Sequence, residues 1–245
     1  MKIKHTLLAL LVAGLISTPA SAGYDEGVTA YTAKDYTLAF SEFSAAAAKG
    51  DAKSQFSLGV MHYENRGIPI DYAQALSWFS KSAEQGYAPA QHNLGIMYNN
   101  GEGVKIDYSQ AVSWFRKAAQ QGHAPAQQSL GLIYYNGEGV KIDYSQAVSW
   151  FRKAAEQGHA QAYNTLGVIY YNGQGVPRDV IVAYALINAS TVIDGSTANT
   201  TSRNNRDALK KGMTFKQISA GQQLSRELLK PSNFLNALDT YLRDT

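Results

Sequence analysis

The chain has 245 residues, 45% of them hydrophobic, with a formal charge of +3 and no cysteine. The apolar content excludes an intrinsically disordered chain, and the charge supplies no field strong enough to recruit nucleic acid or an anionic membrane. Without cysteine no disulfide can staple the fold, so its core has to come from packing alone.

The first predicted element is an export signal, residues 1–22. Lys2, Lys4 and His5 precede an apolar run from Leu7 to Ile16, and Ala20-Ser21-Ala22 supplies the small-x-small pattern of a cleavage site. The run falls short of the roughly 20 apolar residues that a bilayer core requires. Cleavage after Ala22 therefore predicts a periplasmic or secreted protein with no membrane span in its mature form. Loss of Lys2 and Lys4 takes its charge from +3 to +1.

Beyond the signal the chain repeats itself. The stretch from Asn100 to Ala119 recurs letter for letter from Asn136 to Ala155, an offset of 36 residues. Asp35, Asp71, Asp107, Asp143 and Asp179 keep that step, as do Gly59, Gly95, Gly131 and Gly167, and Gly50, Gly86, Gly122 and Gly158. A fixed period of this size marks stacked structural units. The expected order is a partial repeat over 23–50 and full repeats over 51–86, 87–122, 123–158 and 159–195, then a helical capping region over 196–245.

Each repeat reads as a helical pair. In the unit starting at Tyr87, Pro89 sits in the first turn of a first helix, where its missing N–H costs little, and Leu94 and Tyr98 share one face. Gly95 lies inside that helix at a cost of about 1 kcal/mol relative to Ala, which implies a close approach by the partner helix. Gly101 then supplies a left-handed cap, a role that Asn65 takes in the preceding unit. These glycines close a helix and do not follow a strand, and no Gly-Lys-Ser/Thr comes after them, so they are not a phosphate-binding loop. Asp107 caps the second helix, whose apolar stripe runs through Val112, Phe115 and Ala119. Trp78, Trp114 and Trp150 sit beside equivalent stripes as anchors between neighbouring repeats.

In the tail, Thr214 is a predicted N-cap, and Phe215, Ile218, Leu224 and Leu228 form a stripe able to cover the last repeat. After Pro231, the run Phe234, Leu235, Leu238, Tyr241 and Leu242 forms a further amphipathic helix, read as part of the same cap because such a stripe would be a liability if left exposed.

The residues Leu94-Gly95-Ile96-Met97-Tyr98, Gly101-Glu102-Gly103-Val104, Asp107, Ala111, Trp114-Phe115, Ala118-Ala119 and Gly122 resemble the Sel-one-like repeat, a relative of the tetratricopeptide repeat. The resemblance runs from about Tyr24 to Gly195. It implies an all-α, right-handed superhelical solenoid of antiparallel helix pairs with 36-residue repeats and a helical C-terminal cap. It also implies a protein-binding role, since members act as adaptors in envelope assembly, signalling and host contact. Leu186, standing where the other repeats have Trp, marks the repeat at 159–195 as terminal.

No catalytic constellation stands out: there is no Ser-x-x-Lys, no G-x-S-x-G and no H-E-x-x-H. His123 and His159 recur in successive repeats, about 10 Å apart by the usual spacing of packed helices, too far to share one metal. The Asp ladder is explained by helix capping. The expectation is a non-enzymatic monomer with no cofactor and no metal, whose partner is a protein. The alternatives are a cell-wall hydrolase or β-lactam-binding protein, and a module that binds peptidoglycan or another glycan through its many Tyr. The candidate partner face is a spacing-seven stripe on the first helices, expected to line the concave side: Phe56 and Tyr63, His92 and Asn99, Gln128 and Tyr135, Asn164 and Tyr171.

Overall fold

The computed structural model describes residues 22–195 and 200–244. The segment read as an export signal, up to residue 21, lies outside the described residues. The described residues divide into two compact units, one up to residue 121 and one from residue 122. Unit 1 holds α1 (Ala22–Thr32), α2 (Tyr36–Ala48), α3 (Ala52–Glu64), α4 (Tyr72–Glu84), α5 (Ala88–Asn100) and α6 (Tyr108–Gln120). Unit 2 holds α7 (Ala124–Asn136), α8 (Tyr144–Glu156), α9 (Ala160–Asn172), α10 (Val180–Ile193), α11 (Thr200–Lys210), α12 (Phe215–Leu228) and α13 (Phe234–Asp244). All regular structure among the described residues is helical.

Local chemistry fixes where each helix starts and stops. Asp35, Asp71, Asp107 and Asp143 each accept the N–H of the residue three further on, at 2.9–3.0 Å, and so cap α2, α4, α6 and α8. Asp179 does the same for α10, accepting from Ile181 and Val182. First helices end in the left-handed conformation, at Asn65 with φ 57° and at Gly101 with φ 73°. The connecting loop then folds back, and the Asp107 N–H donates to the Tyr98 carbonyl at 3.0 Å.

The helical glycines are where the two helices of a pair meet. A Cβ on Gly59 would stand 2.5 Å from the Phe79 ring, one on Gly95 2.7 Å from Phe115, and one on Gly131 2.5 Å from Phe151. These phenylalanines are completely buried, so the ring occupies the space that the missing side chain leaves. Gly27 meets Phe43 in the same way at 2.6 Å, which makes α1–α2 a helical pair of the same design despite its shorter sequence.

The two tryptophans of unit 1 pack between neighbouring repeats. In unit 1, Trp78 of α4 packs onto the core that Phe43, Leu58 and Met61 form on α2 and α3, and Trp114 of α6 packs onto that of Val60, Phe79 and Leu94. Sequence reading missed the cover on these indoles: Lys81, Lys117 and Lys153 each lay their ammonium 3.8–4.2 Å from the ring of the tryptophan three residues earlier.

Unit 2 ends in a cap. Helix α10 lies against α9, α11 and α12, and its residues Val182 to Ile187 are all at most 2% exposed, Leu186 among them. A capping box starts α12, with the Thr214 hydroxyl accepting from Gln217 N–H and the Gln217 amide oxygen accepting from Thr214 N–H. Leu224 and Leu228 are buried. Phe215, expected in the same stripe, is instead 87% exposed. It occupies the first turn of α12, ahead of the stretch that meets α10, where a Cβ on Gly221 would stand 2.7 Å from Tyr184. Helix α13 joins the cap as expected, with Phe234 and Leu238 buried and Phe234 edge-on to Tyr163 at 5.0 Å.

Candidate functional site

The spacing-seven stripe does two kinds of work. In unit 1, Phe56 on α3 packs against Phe79 and Tyr87, with ring centroids 5.7 and 5.3 Å away. Tyr63 lies edge-on to Tyr72 at 5.4 Å, and its hydroxyl donates to Glu102 Oε2 at 2.7 Å. Burial and that bond to a carboxylate hold the Tyr63 phenol well above its ordinary pKa. On α5, His92 is buried against Phe115, and Asn99 is buried with its Nδ2 donating to Asn100 Oδ1 at 3.3 Å.

In unit 2, Gln128 on α7 is buried and donates to the Thr165 hydroxyl at 3.3 Å. Tyr135 packs on Tyr144 and donates to Gln174 Oε1 at 2.7 Å. Asn164 on α9 accepts from Asn205 of α11 at 3.2 Å. Tyr171 stands open, 43% exposed, with the Arg178 guanidinium 5.2 Å from its ring.

The expectation that all eight side chains face a partner therefore needs narrowing. His92, Asn99 and Gln128 are buried, and Tyr63 and Tyr135 tie one repeat to the loop of the next. Periodicity fixes a residue's angle on its helix but not what a neighbouring helix lays over it.

Two other repeating features escaped the sequence reading. Ile70 and Ile106 in unit 1 and Ile142 in unit 2 precede the capping Asp of a second helix and stay 49–50% exposed, and Tyr72 and Tyr108 beside them are also exposed. The signal was available in the 36-residue register, where an apolar residue keeps appearing in a loop. Glutamines supply the second feature. Gln85 Nε2 donates to Gln55 Oε1 and Gln121 Nε2 to Gln91 Oε1 in unit 1, and Gln157 Nε2 to Gln127 Oε1 in unit 2, at 2.7–2.8 Å. With Gln55, Gln91 and Gln127 buried, these pairs are staples between helices.

His123 and His159 take the N-cap positions of α7 and α9 without a side-chain capping bond. Burial lowers the pKa of both, with His159 adding to the effect at His123, which falls to about 4. An unfolded chain takes up a proton at this residue below about pH 6.5, whereas the folded unit resists until about pH 4. Stability fully present above pH 6.5 is therefore lost as pH falls through that window, by up to about 3 kcal/mol from His123. A His123→Asn variant, which also supplies a capping side chain, should show a much smaller fall in urea midpoint between pH 7.5 and 4.5. An equal fall in both proteins would mean that the imidazole is not the source.

Among the described residues no group of three or more His, Asp or Glu side chains is arranged to hold a metal. The carboxylates at steps of 36 residues are engaged with backbone N–H groups, in similar surroundings, which is not how an acid and base pair is differentiated. A cleft of about 430 Å³ lies between α12 and α13, walled by Gln223, Glu227, Asn236, Thr240, Tyr241 and Asp244. No helix of the described residues is long and apolar enough to cross a membrane.

Comparison with known proteins places this geometry. The model of the Sel1 repeat matches residues 52–87, 88–123, 124–159 and 160–188. A protective antigen present in uropathogenic Escherichia coli strains, displaying an SLR fold, is 30% identical over 91% of this chain, with a TM-score of 0.55. This chain spans 56% of that antigen's length. A Sel1 repeat protein from Oxalobacter formigenes is 26% identical, with 90% of this chain and 99% of that one covered and a TM-score of 0.67. No curated protein matches the chain.

Proposed function

Because the chain belongs to the Sel1 repeat family, we propose that it is an exported, non-catalytic scaffold that binds a protein partner across the first helices and adjoining loops of its repeats. The observation that carries this reading is the exposure of large apolar side chains at a fixed register. Ile70 and Ile106 in unit 1 and Ile142 in unit 2 keep the 36-residue step, with Tyr72 and Tyr108 exposed beside the first two, while Tyr171 of unit 2 is exposed at a separate position on the first helix α9. Ordered apolar side chains in an array are what an association surface needs. Within the spacing-seven stripe, Tyr171 is the side chain placed to touch a partner directly, and Tyr63 and Tyr135 offer their outer edges.

The test is crosslinking in the producing cell followed by mass spectrometry. Tyr171→Ala combined with Ile142→Ser should lose a defined partner that the native protein captures. Tyr63→Phe and Tyr135→Phe, which keep the rings in place, should leave capture largely intact. Capture that is identical in every variant would contradict the assignment of the face. For export, the mature chain is expected in the periplasmic or extracellular fraction with Gly23 at its N-terminus, and a cytoplasmic chain that retains Met1 would contradict it.

A second reading is favoured by the α12–α13 cleft, whose amides, carboxylates and Tyr241 are the groups that recognise sugar hydroxyls. Under that reading purified cell-wall sacculi retain the native protein and release the Tyr241→Ala variant.

A further inference from the structure

In unit 2 the turn that joins α11 to α12 carries a chemistry that neither the repeats nor the cap requires. Phe215 is 87% exposed, and no other large apolar side chain among the described residues exceeds 57%. The stretch from Ala208 to Arg226 contains Lys210, Lys211, Lys216 and Arg226 and no Asp or Glu. Lys210, Lys211 and Lys216 are all exposed. The ion pairs among the described residues are Arg66–Glu64, Arg152–Asp239, Arg206–Asp207 and Lys230–Glu227, so none of these three lysines is held by a carboxylate.

The turn is nevertheless an ordered one. Leu209 and Met213 are buried and anchor it in the core of unit 2. The N–H groups of Lys211, Gly212 and Met213 donate to the carbonyls of Ala208, Leu209 and Lys210 at 3.1–3.3 Å. The capping box between Thr214 and Gln217 then fixes the first turn of α12, which carries Phe215. A phenyl ring held in water on a fixed turn gains nothing inside the fold, so its use lies outside it.

The composition of this tip favours a lipid surface over a protein. Protein interfaces are enriched in aromatic residues and arginine but depleted in lysine, and the cations flanking Phe215 are lysines. A bilayer interface accepts both groups: aromatic rings settle at headgroup level, and lysines are drawn to anionic lipid. The small net charge of the chain is no obstacle. Screening limits the reach of a charge to about 8 Å at physiological ionic strength, so an approaching surface meets the lysines of the tip and not the sum over the chain.

We infer that the α11–α12 tip, formed by Lys210, Lys211, Phe215 and Lys216, docks reversibly on an anionic phospholipid surface. The ring enters the headgroup layer and the lysines lie over lipid phosphates, a peripheral contact that needs no spanning helix. No residue of the proposed partner face takes part, so the two proposals stand or fall separately.

The test is flotation of the protein, as purified from its producing cell, with vesicles of phosphatidylcholine alone and of phosphatidylcholine mixed with phosphatidylglycerol, at low and high salt. Binding to the mixed vesicles alone, weakened by salt, is expected. Replacing Lys210, Lys211 and Lys216 together by Ala should weaken it about a hundredfold, at about fivefold per lysine. Phe215→Ser should weaken it by about tenfold. Lys105→Ala, which removes an exposed lysine of unit 1, should change nothing. Phe215→Trp should keep binding and add an emission that lipids brominated in their acyl chains quench. Equal binding to neutral vesicles, no binding to either kind, tip variants that bind like the native protein, or an unquenched Phe215→Trp ring in the bound protein would each overturn the inference. If the tip crosslinks to an acidic protein while vesicles do not bind, the tip belongs to a protein interface and the inference falls.

Discussion

Phe115→Ala is expected to destabilise unit 1 by about 3–5 kcal/mol, the usual cost of emptying a fully buried aromatic site. The ring is 0% exposed and fills the space above Gly95, where a Cβ would lie 2.7 Å from it. Gly95→Ala sets two effects against each other. Helix propensity gains about 1 kcal/mol from the substitution, but overpacking against the ring costs about 1–3 kcal/mol. Overpacking should win, because Phe115 is completely enclosed and has nowhere to retreat. In the Phe115→Ala background the obstacle is gone, so the same Gly95→Ala change should turn stabilising by up to about 1 kcal/mol. Urea denaturation of the four proteins of this cycle measures it. Simple additivity would show that the glycine ladder has some purpose other than making room for the ring.

Phe234→Ala should cost unit 2 a comparable amount, about 3–5 kcal/mol. Phe234 is 2% exposed and lies edge-on to Tyr163, whose hydroxyl donates to the Leu228 carbonyl at 3.2 Å, so one residue joins α13, α12 and α9. Without it α13 loosens, and the cap that shields the buried centre of α10, Val182 to Ile187, is weakened. Phe215→Ala is the control. Its ring is 87% exposed, and its removal should change stability by no more than about 0.5 kcal/mol. Near-equal losses from the two substitutions would contradict this account of the cap.

These two phenylalanines also mark how far the sequence could be read. Both open a helix in the tail and both fit an apolar stripe, yet Phe234 packs on Tyr163 of α9 while Phe215 precedes the stretch of α12 that meets α10, so tertiary packing alone decides that one is core and the other is not. The repeats were legible because capping and close packing act through fixed local offsets: Asp107 on Gln110, Gly101 on the end of α5, Gly95 against Phe115. Contacts that cross into the next repeat were not. Tyr63 reaches Glu102 and Tyr135 reaches Gln174, each 39 residues ahead, and neither pairing leaves a local trace. The candidate face suffered for the same reason. Spacing of seven puts Asn99 and Gln128 in one helical register, yet both are covered, while the exposed isoleucine register lies in loops that a helical pattern does not examine.

The bound surface is the central claim, and a photo-crosslinking amino acid placed at single positions tests it most directly. With the probe at Tyr171, on the first helix α9, one discrete adduct with a partner protein is predicted. With the probe at Ser149, an exposed position on the second helix α8 of the same unit, none is predicted. Equal adducts from both positions, or an adduct from Ser149 alone, would contradict a partner face built on the first helices.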